Sequence, residues 1–210
     1  MGKIMVTAGE ISGDIHAAHV VREIKRLAPE TEFFGMGSSH LREEGVNVII
    51  DPTEINSVGF QEAFKNIKTH LSHLRLMEEY IDKENPDVLF LVDYSGFNMF
   101  MARLAAKKDI PAVNYFPPTA WIWGRWRAKW MARTGVTIAA VFPMERNVYL
   151  EAGANVEFVG HPLLDMINIE DSKSAIYKKL EVDPSKPVIG ILPGSRTSEI
   201  NSLLPEMLKA

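Results

Sequence analysis

Seven short apolar runs recur along this chain with helix-periodic stretches between them, and that alternation leaves few architectures open. The runs are Ile4–Ala8, Glu32–Met36, Val46–Ile50, Val88–Val92, Ala112–Tyr115, Val136–Val141 and Val156–Val159. Several, such as DVLFLVD, are continuous rather than alternating, as expected of strands buried on both faces of a parallel sheet. Helical stretches fall at Ile15–Leu27, around Gln61–Lys83, at Phe97–Lys108 and at Met144–Ala152. Turn residues at Pro29, Gly45, Asn85-Pro86, Asp109 and Gly153 separate them. The pattern predicts an α/β fold with a doubly wound parallel sheet.

A second strand–turn–helix signal, KPVIGILPGSRTSEINSLLPEML, stands alone near the end of the sequence. The expected organisation is one Rossmann-like domain over 1–165, a polar linker over 166–186, and the first β-loop-α of a second domain over 187–210. An isolated βα unit cannot bury its own apolar face, so Val188–Leu192 is predicted as a poorly covered strand. The chain is therefore expected to be a piece of a longer protein, inactive by itself.

Composition excludes some classes of function. A net charge of −4 argues against general nucleic-acid binding. The absence of cysteine removes disulfides and thiolate metal sites and permits a cytoplasmic home. A strand begins almost at the first residue, so no signal peptide is expected. No apolar run approaches the roughly 20 residues that cross a bilayer, so any membrane contact should be peripheral. His16/His19 and His70/His73 have helical spacing but no evident third ligand, so neither a metal site nor a cofactor is expected. No G-x-S-x-G elbow is present.

Ligands of open α/β sheets bind outside the carboxyl ends of the strands. The first turn, Gly9-Glu10-Ile11-Ser12-Gly13-Asp14, is not a dinucleotide fingerprint. It places two carboxylates where a pyrophosphate would lie, which suits sugar hydroxyls; Ser12 and Asp14 could equally cap the following helix. Asp93 ends the most apolar strand, ahead of Tyr94-Ser95-Gly96-Phe97-Asn98, where partial desolvation favours a general base. The other reading is a helix cap, a role Ser95 could fill. The last turn, Gly194-Ser195-Arg196, joins a flexible backbone, a hydroxyl and a guanidinium, a set suited to a diphosphate. Glu199 could cap that helix or hold a ribose hydroxyl.

Two segments read as membrane-facing. All four tryptophans lie between Trp121 and Trp130, and no acidic residue occurs from Ile110 to Met144. On a helix Trp123, Trp126 and Trp130 would share one face and Arg125, Lys129 and Arg133 another, the composition of an interfacial segment. Trp121 reads better as core. The second is the stripe Val58, Phe60, Phe64, Ile67 and Leu71 with Lys65, Lys68 and Arg75 alongside; by composition a packed helix face is the commoner outcome.

Taken together, AGEISGDIHAA, VDYSGFN, PPTAWIW, FPMERNVY, VGHPLLD and LPGSRTSEI resemble the lipid-A-disaccharide synthase family over nearly the whole chain. The resemblance implies a metal-independent hexosyltransferase with two facing Rossmann-like halves (the GT-B arrangement), peripheral at the cytoplasmic face of the bacterial inner membrane. Its substrates would be UDP-2,3-diacylglucosamine and 2,3-diacylglucosamine 1-phosphate, its products a β(1→6) disaccharide and UDP. It implies Asp93 as general base, Arg196 on the donor diphosphate, Glu10, Ser12, Gly13 and Asp14 along the cleft, and the acyl-chain surface over Val58–Arg75. The chain departs from the family pattern at GMGSSHL, Asn114-Tyr115 and FPME. The competing readings are an enzyme similar to UDP-N-acetylglucosamine epimerases and a non-catalytic membrane-binding half-protein.

Overall fold

The structure, a computed structural model, describes residues 2–52, 63–167, 170–194 and 197–209. They form two compact units, Met1–Leu164 and Asp165–Ala210. In the first, strands β1 (Lys3–Ala8), β2 (Glu32–Met36), β3 (Asn47–Ile50), β4 (Val88–Val92), β5 (Ala112–Tyr115), β6 (Thr137–Ala140) and β7 (Asn155–Phe158) make one sheet. Helices α1 (Ile11–Leu27), α2 (Ser39–Glu43), α3 (Ala63–Glu84), α4 (Ser95–Lys107), α5 (Trp126–Ala132) and α6 (Pro143–Glu151) alternate with them, and α7 (Leu163–Met166) lies where the units meet in sequence. The strand order is β3-β2-β1-β4-β5-β6-β7 and every neighbouring pair is parallel. The expected doubly wound sheet is present.

The DVLFLVD run explains how the sheet holds together. Leu89 and Leu91 enter a core with Met5, Met77, Met101, Ile138 and Tyr149. Phe90 and Val92 point to the other face, into a core with Val6, Ala17, Val21 and Leu41. With helices over both faces, Leu89 to Val92 are buried, worth about 1.5–3 kcal/mol per large apolar residue. At β2 the backbones approach so closely that a Cβ on Gly35 would overlap the Val6 carbonyl oxygen. Glycine is the residue that permits that pairing.

Two sequence expectations are corrected. Helix α1 begins at Ile11, not Ile15, with Glu10 as N-cap and no side-chain cap bond. Ser12 and Asp14 therefore lie inside the first turn and do not cap it. Gly13 makes this possible by letting the turn press on the end of β4, where an added Cβ would sit 3.1 Å from Asp93 Cβ. Similarly α4 starts at Ser95, without a side-chain cap from Ser95.

In the second unit, α8 (Lys173–Lys179) is capped by Ser172, whose hydroxyl accepts from the Ala175 amide at 3.3 Å. Helix α9 (Thr197–Met207) follows. The run Val188–Leu192 is not a strand, and Ile189 and Leu192 are each 86% exposed. Among the described residues of this unit no strand stands beside it to complete its backbone hydrogen bonds.

Candidate functional site

The sheet order reverses between β1 and β4, and in an open α/β sheet that is where the carboxyl ends of the strands leave a crevice. Two of the predicted segments, Gly9–Asp14 and Asp93–Asn98, emerge at that point.

Asp93 is half-buried, and its backbone occupies the left-handed region at φ 38°. The Ser12 hydroxyl donates to its Oδ2 at 2.9 Å, and its own amide donates to the Tyr115 carbonyl at 3.2 Å. On the next strand Phe116 is also left-handed, at φ 54°. Other left-handed non-glycine residues, Asn85, Asp109 and Glu181, simply follow the ends of α3, α4 and α8. Asp93 and Phe116 have no such helix-end role; aspartate tolerates the left-handed region better than most residues, whereas a bulky ring held there, as at Phe116, costs about 1–3 kcal/mol. Strain on adjacent strand ends marks this edge as one shaped for something other than stability.

Tyr94 closes one side. A Cβ on Gly9 would fall within its ring, its hydroxyl meets His70 Nδ1 at 3.1 Å, and it stacks on Phe97 at 5.3 Å. Burial, and then the neighbouring Glu10 carboxylate, push the Tyr94 phenol above its ordinary range. On the other side His16, one helical turn after Ser12, stacks on Phe116 at 4.6 Å and meets His161 edge-on at 6.0 Å. His161 also packs against Phe116 and Phe142. Burial lowers the His16 pKa, helped by His161 and opposed by Asp93, which keeps the ring neutral at pH 7. Its Nδ1 is buried and, among the described residues, has no hydrogen-bond partner.

Not every predicted residue faces this crevice. Asp14 is 1% exposed, and its carboxylate accepts from the amides of Ser38 at 2.6 Å and His40 at 2.9 Å. Its oxygens are occupied in fastening the β2–α2 loop. Asn98 is likewise buried under the site, accepting from the Thr7 hydroxyl at 2.7 Å. Its amide nitrogen and both polar atoms of buried Asn114 have no partner among the described residues. In the second unit Gly194 is left-handed at φ 107°, with the Glu199 side chain folded against it. Ser195 and Arg196 lie outside the described residues, as do Val58 and Phe60 and the side chains of Phe64 and Ile67.

The tryptophan segment differs from the single-face expectation. Helix α5 starts only at Trp126, so Trp123 precedes it in a glycine turn. Trp123 and Trp126 are 57% and 59% exposed, whereas Trp130 packs against the larger core beside Trp121. Arg125 and Lys129 are exposed. Arg127 lies over the Trp123 ring at 3.9 Å and 5.7 Å from that of Trp126.

Sequence reading weighed His16 only as a pair with His19 lacking a third metal ligand, and so overlooked it as a site residue. Its i, i+4 spacing from Ser12 was the available signal. Glu145, in the first turn of α6, is a further buried carboxyl near this edge of the sheet. It accepts from the Val141 amide at 2.8 Å, and burial raises its pKa to about 7 despite backbone bonds from Val141 and Phe142.

Comparison with known proteins bears on the family and the fold. The sequence model of a family described as "Lipid-A-disaccharide synthetase" matches residues 4–210. Lipid-A-disaccharide synthases of Geobacter metallireducens and Coxiella burnetii are 38% and 35% identical over 99% of this chain. The match takes in 54% and 55% of those proteins, so the chain spans about half the length of the curated relatives it matches. Among solved structures, the UDP-GlcNAc 2-epimerase of Neisseria meningitidis bound to UDP-GlcNAc superposes with a TM-score of 0.57 at 12% identity. That match takes in 99% of this chain and 53% of the epimerase. MurG of Acinetobacter baumannii gives a TM-score of 0.50 at 13% identity over 77% of this chain and 46% of its own. At such identity these two share the fold alone. No helix among the described residues is long and apolar enough to cross a membrane.

Proposed function

The chain belongs to the lipid-A-disaccharide synthetase family, and we propose that it supplies the acceptor side of a glycosyltransferase of lipid A biosynthesis. The reaction would join UDP-2,3-diacylglucosamine to 2,3-diacylglucosamine 1-phosphate and release UDP, without a metal. The enzyme would work as a peripheral protein at the cytoplasmic face of the inner membrane.

The observation that carries this reading is Asp93 at the sheet reversal, held by Ser12 and by a strained backbone. An inverting transfer needs a base beside the acceptor hydroxyl as that oxygen attacks the anomeric carbon. Asp93 would take the proton from the hydroxyl while the bond to the UDP oxygen breaks. Ser12, donating to one carboxylate oxygen, would leave the other directed at the acceptor. His16 and Phe116 would form the apolar wall against which a sugar ring lies. Arg196 would stabilise charge growing on the departing diphosphate. Glu10 stands at the rim, where sugar hydroxyls would pass.

Asp93→Asn in the full-length enzyme tests this. Turnover should fall about 10²–10⁴-fold while UDP affinity and thermal unfolding stay near wild type. Near-wild-type turnover would refute the assignment. A wild-type full-length protein that binds membranes but shows no transferase activity would favour the non-catalytic alternative.

A further inference from the structure

Among the cations of the tryptophan segment, Arg127 is placed unlike the rest. Arg125, Lys129 and Arg133 are exposed, whereas Arg127 is half-buried with its guanidinium carbon 3.9 Å from the centre of the Trp123 ring and 5.7 Å from that of Trp126. Its Nε is buried and has no hydrogen-bond partner, and no carboxylate pairs with Arg127 among the described residues. The sequence offers no acidic neighbour either, from Ile110 to Met144. Tyr149 lies close enough for the guanidinium to act on its phenol, but the Tyr149 hydroxyl is already donated to the Pro118 carbonyl at 2.8 Å. Gly124, left-handed at φ 71°, brings the turn over the arginine; a Cβ there would stand 3.4 Å from Arg127 Nε.

A guanidinium held over an aromatic ring has its rotamer freedom already reduced before a ligand arrives. A half-buried cation with no counter-ion is incomplete. What completes it must be anionic, must offer two or more acceptor oxygens to a planar fork, and must tolerate two exposed indoles beside it. We propose that Arg127, framed by Trp123 and Trp126, is a phosphate-monoester site for a phosphate carried on an amphiphile. A monoester carries about two negative charges and three terminal oxygens, so it satisfies the fork better than a diester does. Exposed Ile122, Trp123 and Trp126 would take the apolar part of the same molecule or of its surrounding bilayer.

This site rests on the membrane-side part of the proposed function, but its readout is binding, so it can fail while the Asp93 assignment stands, and the reverse. The test uses the full-length protein and phosphatidylcholine vesicles containing either phosphatidic acid, a monoester, or phosphatidylglycerol, a diester, at matched surface charge. Wild type should bind the phosphatidic acid vesicles about tenfold more tightly. Arg127→Lys, which keeps the charge and loses the fork, should abolish that preference; Arg125→Lys should retain it. Glucose 1-phosphate is then added as competitor. Competition assigns the site to a sugar phosphate. Its absence, with the preference still lost in Arg127→Lys, assigns it to a lipid headgroup; either result upholds a monoester site. No preference in wild type, or a preference unchanged in Arg127→Lys, overturns the proposal.

Discussion

The Ser12 hydroxyl reaches Asp93 Oδ2 at 2.9 Å across the line where the strand order turns back on itself. Two elements far apart in sequence thus share one carboxylate. Ser12→Ala should lower kcat about 3–10-fold with little change in KM, because one oriented hydrogen bond of about 1 kcal/mol is lost and no substrate contact is removed. Ser12→Thr should recover part of the rate. A change confined to KM would show that Ser12 contacts substrate instead.

Gly9 and Tyr94 make a second such pair. A Cβ on Gly9 would occupy the Tyr94 ring, so Gly9→Ala should destabilise the fold by about 1–3 kcal/mol in chemical unfolding. Truncating the ring should relieve the clash: Gly9→Ala with Tyr94→Ala should be less destabilised than the two single losses together. Simple additivity would place the strain elsewhere.

Glu145 gives a pH dependence with a definite sign. Its pKa rises from 4.5 to about 7 on folding, so the folded chain binds more protons than the unfolded one between those values. Stability should therefore decline as pH climbs from about 4.5 to 7, by about 3 kcal/mol from this group if the full shift holds. Glu145→Gln keeps an acceptor for the Val141 amide and cannot ionise. Its Tm relative to wild type should improve steadily from pH 5 to pH 8. A constant difference across that range would show that the carboxyl is not protonated on folding.

The tryptophans should separate into two kinds. Trp123→Ser with Trp126→Ser should leave the melting temperature near wild type and reduce flotation with anionic vesicles, whereas Trp130→Ser should unfold the domain at lower temperature. Binding should weaken as salt rises, since each basic residue near such a surface contributes about 1 kcal/mol. Flotation insensitive to both indoles and to salt would leave the Val58–Arg75 stripe as the membrane contact.

Arg196→Ala in the full-length enzyme should weaken UDP-sugar binding about 10–100-fold, with Arg196→Lys intermediate, because lysine supplies charge without the paired geometry. Calorimetry that finds wild-type donor affinity in Arg196→Ala would remove the diphosphate role.

The strands β2, β4 and β5 were legible to the residue, because continuous apolar runs bounded by turn residues have little alternative in a parallel sheet. The start of α1 was not. Ser12 and Asp14 are residues that cap helices, and only tertiary contact shows Ser12 turned to Asp93 and Asp14 turned to the β2–α2 loop. Burial of Asn98 was hidden for the same reason: a polar residue in the first turns of a helix that follows a strand looks like a ligand contact until its bond from the Thr7 hydroxyl is seen. Val188–Leu192 carries a strand's composition, yet composition cannot supply a neighbour. His16 became visible once Phe116 lay under it.

The left-handed backbone at Asp93 has an evolutionary consequence. Glycine there would relax the turn, yet it would remove the carboxylate that Ser12 holds. Phe116 is different, because its ring packs against the core and against His16, so the same exchange there would cost more in packing than it relieved in strain. A laboratory search for sturdier variants should therefore drift toward glycine at Asp93 as activity fades, while keeping the ring at Phe116.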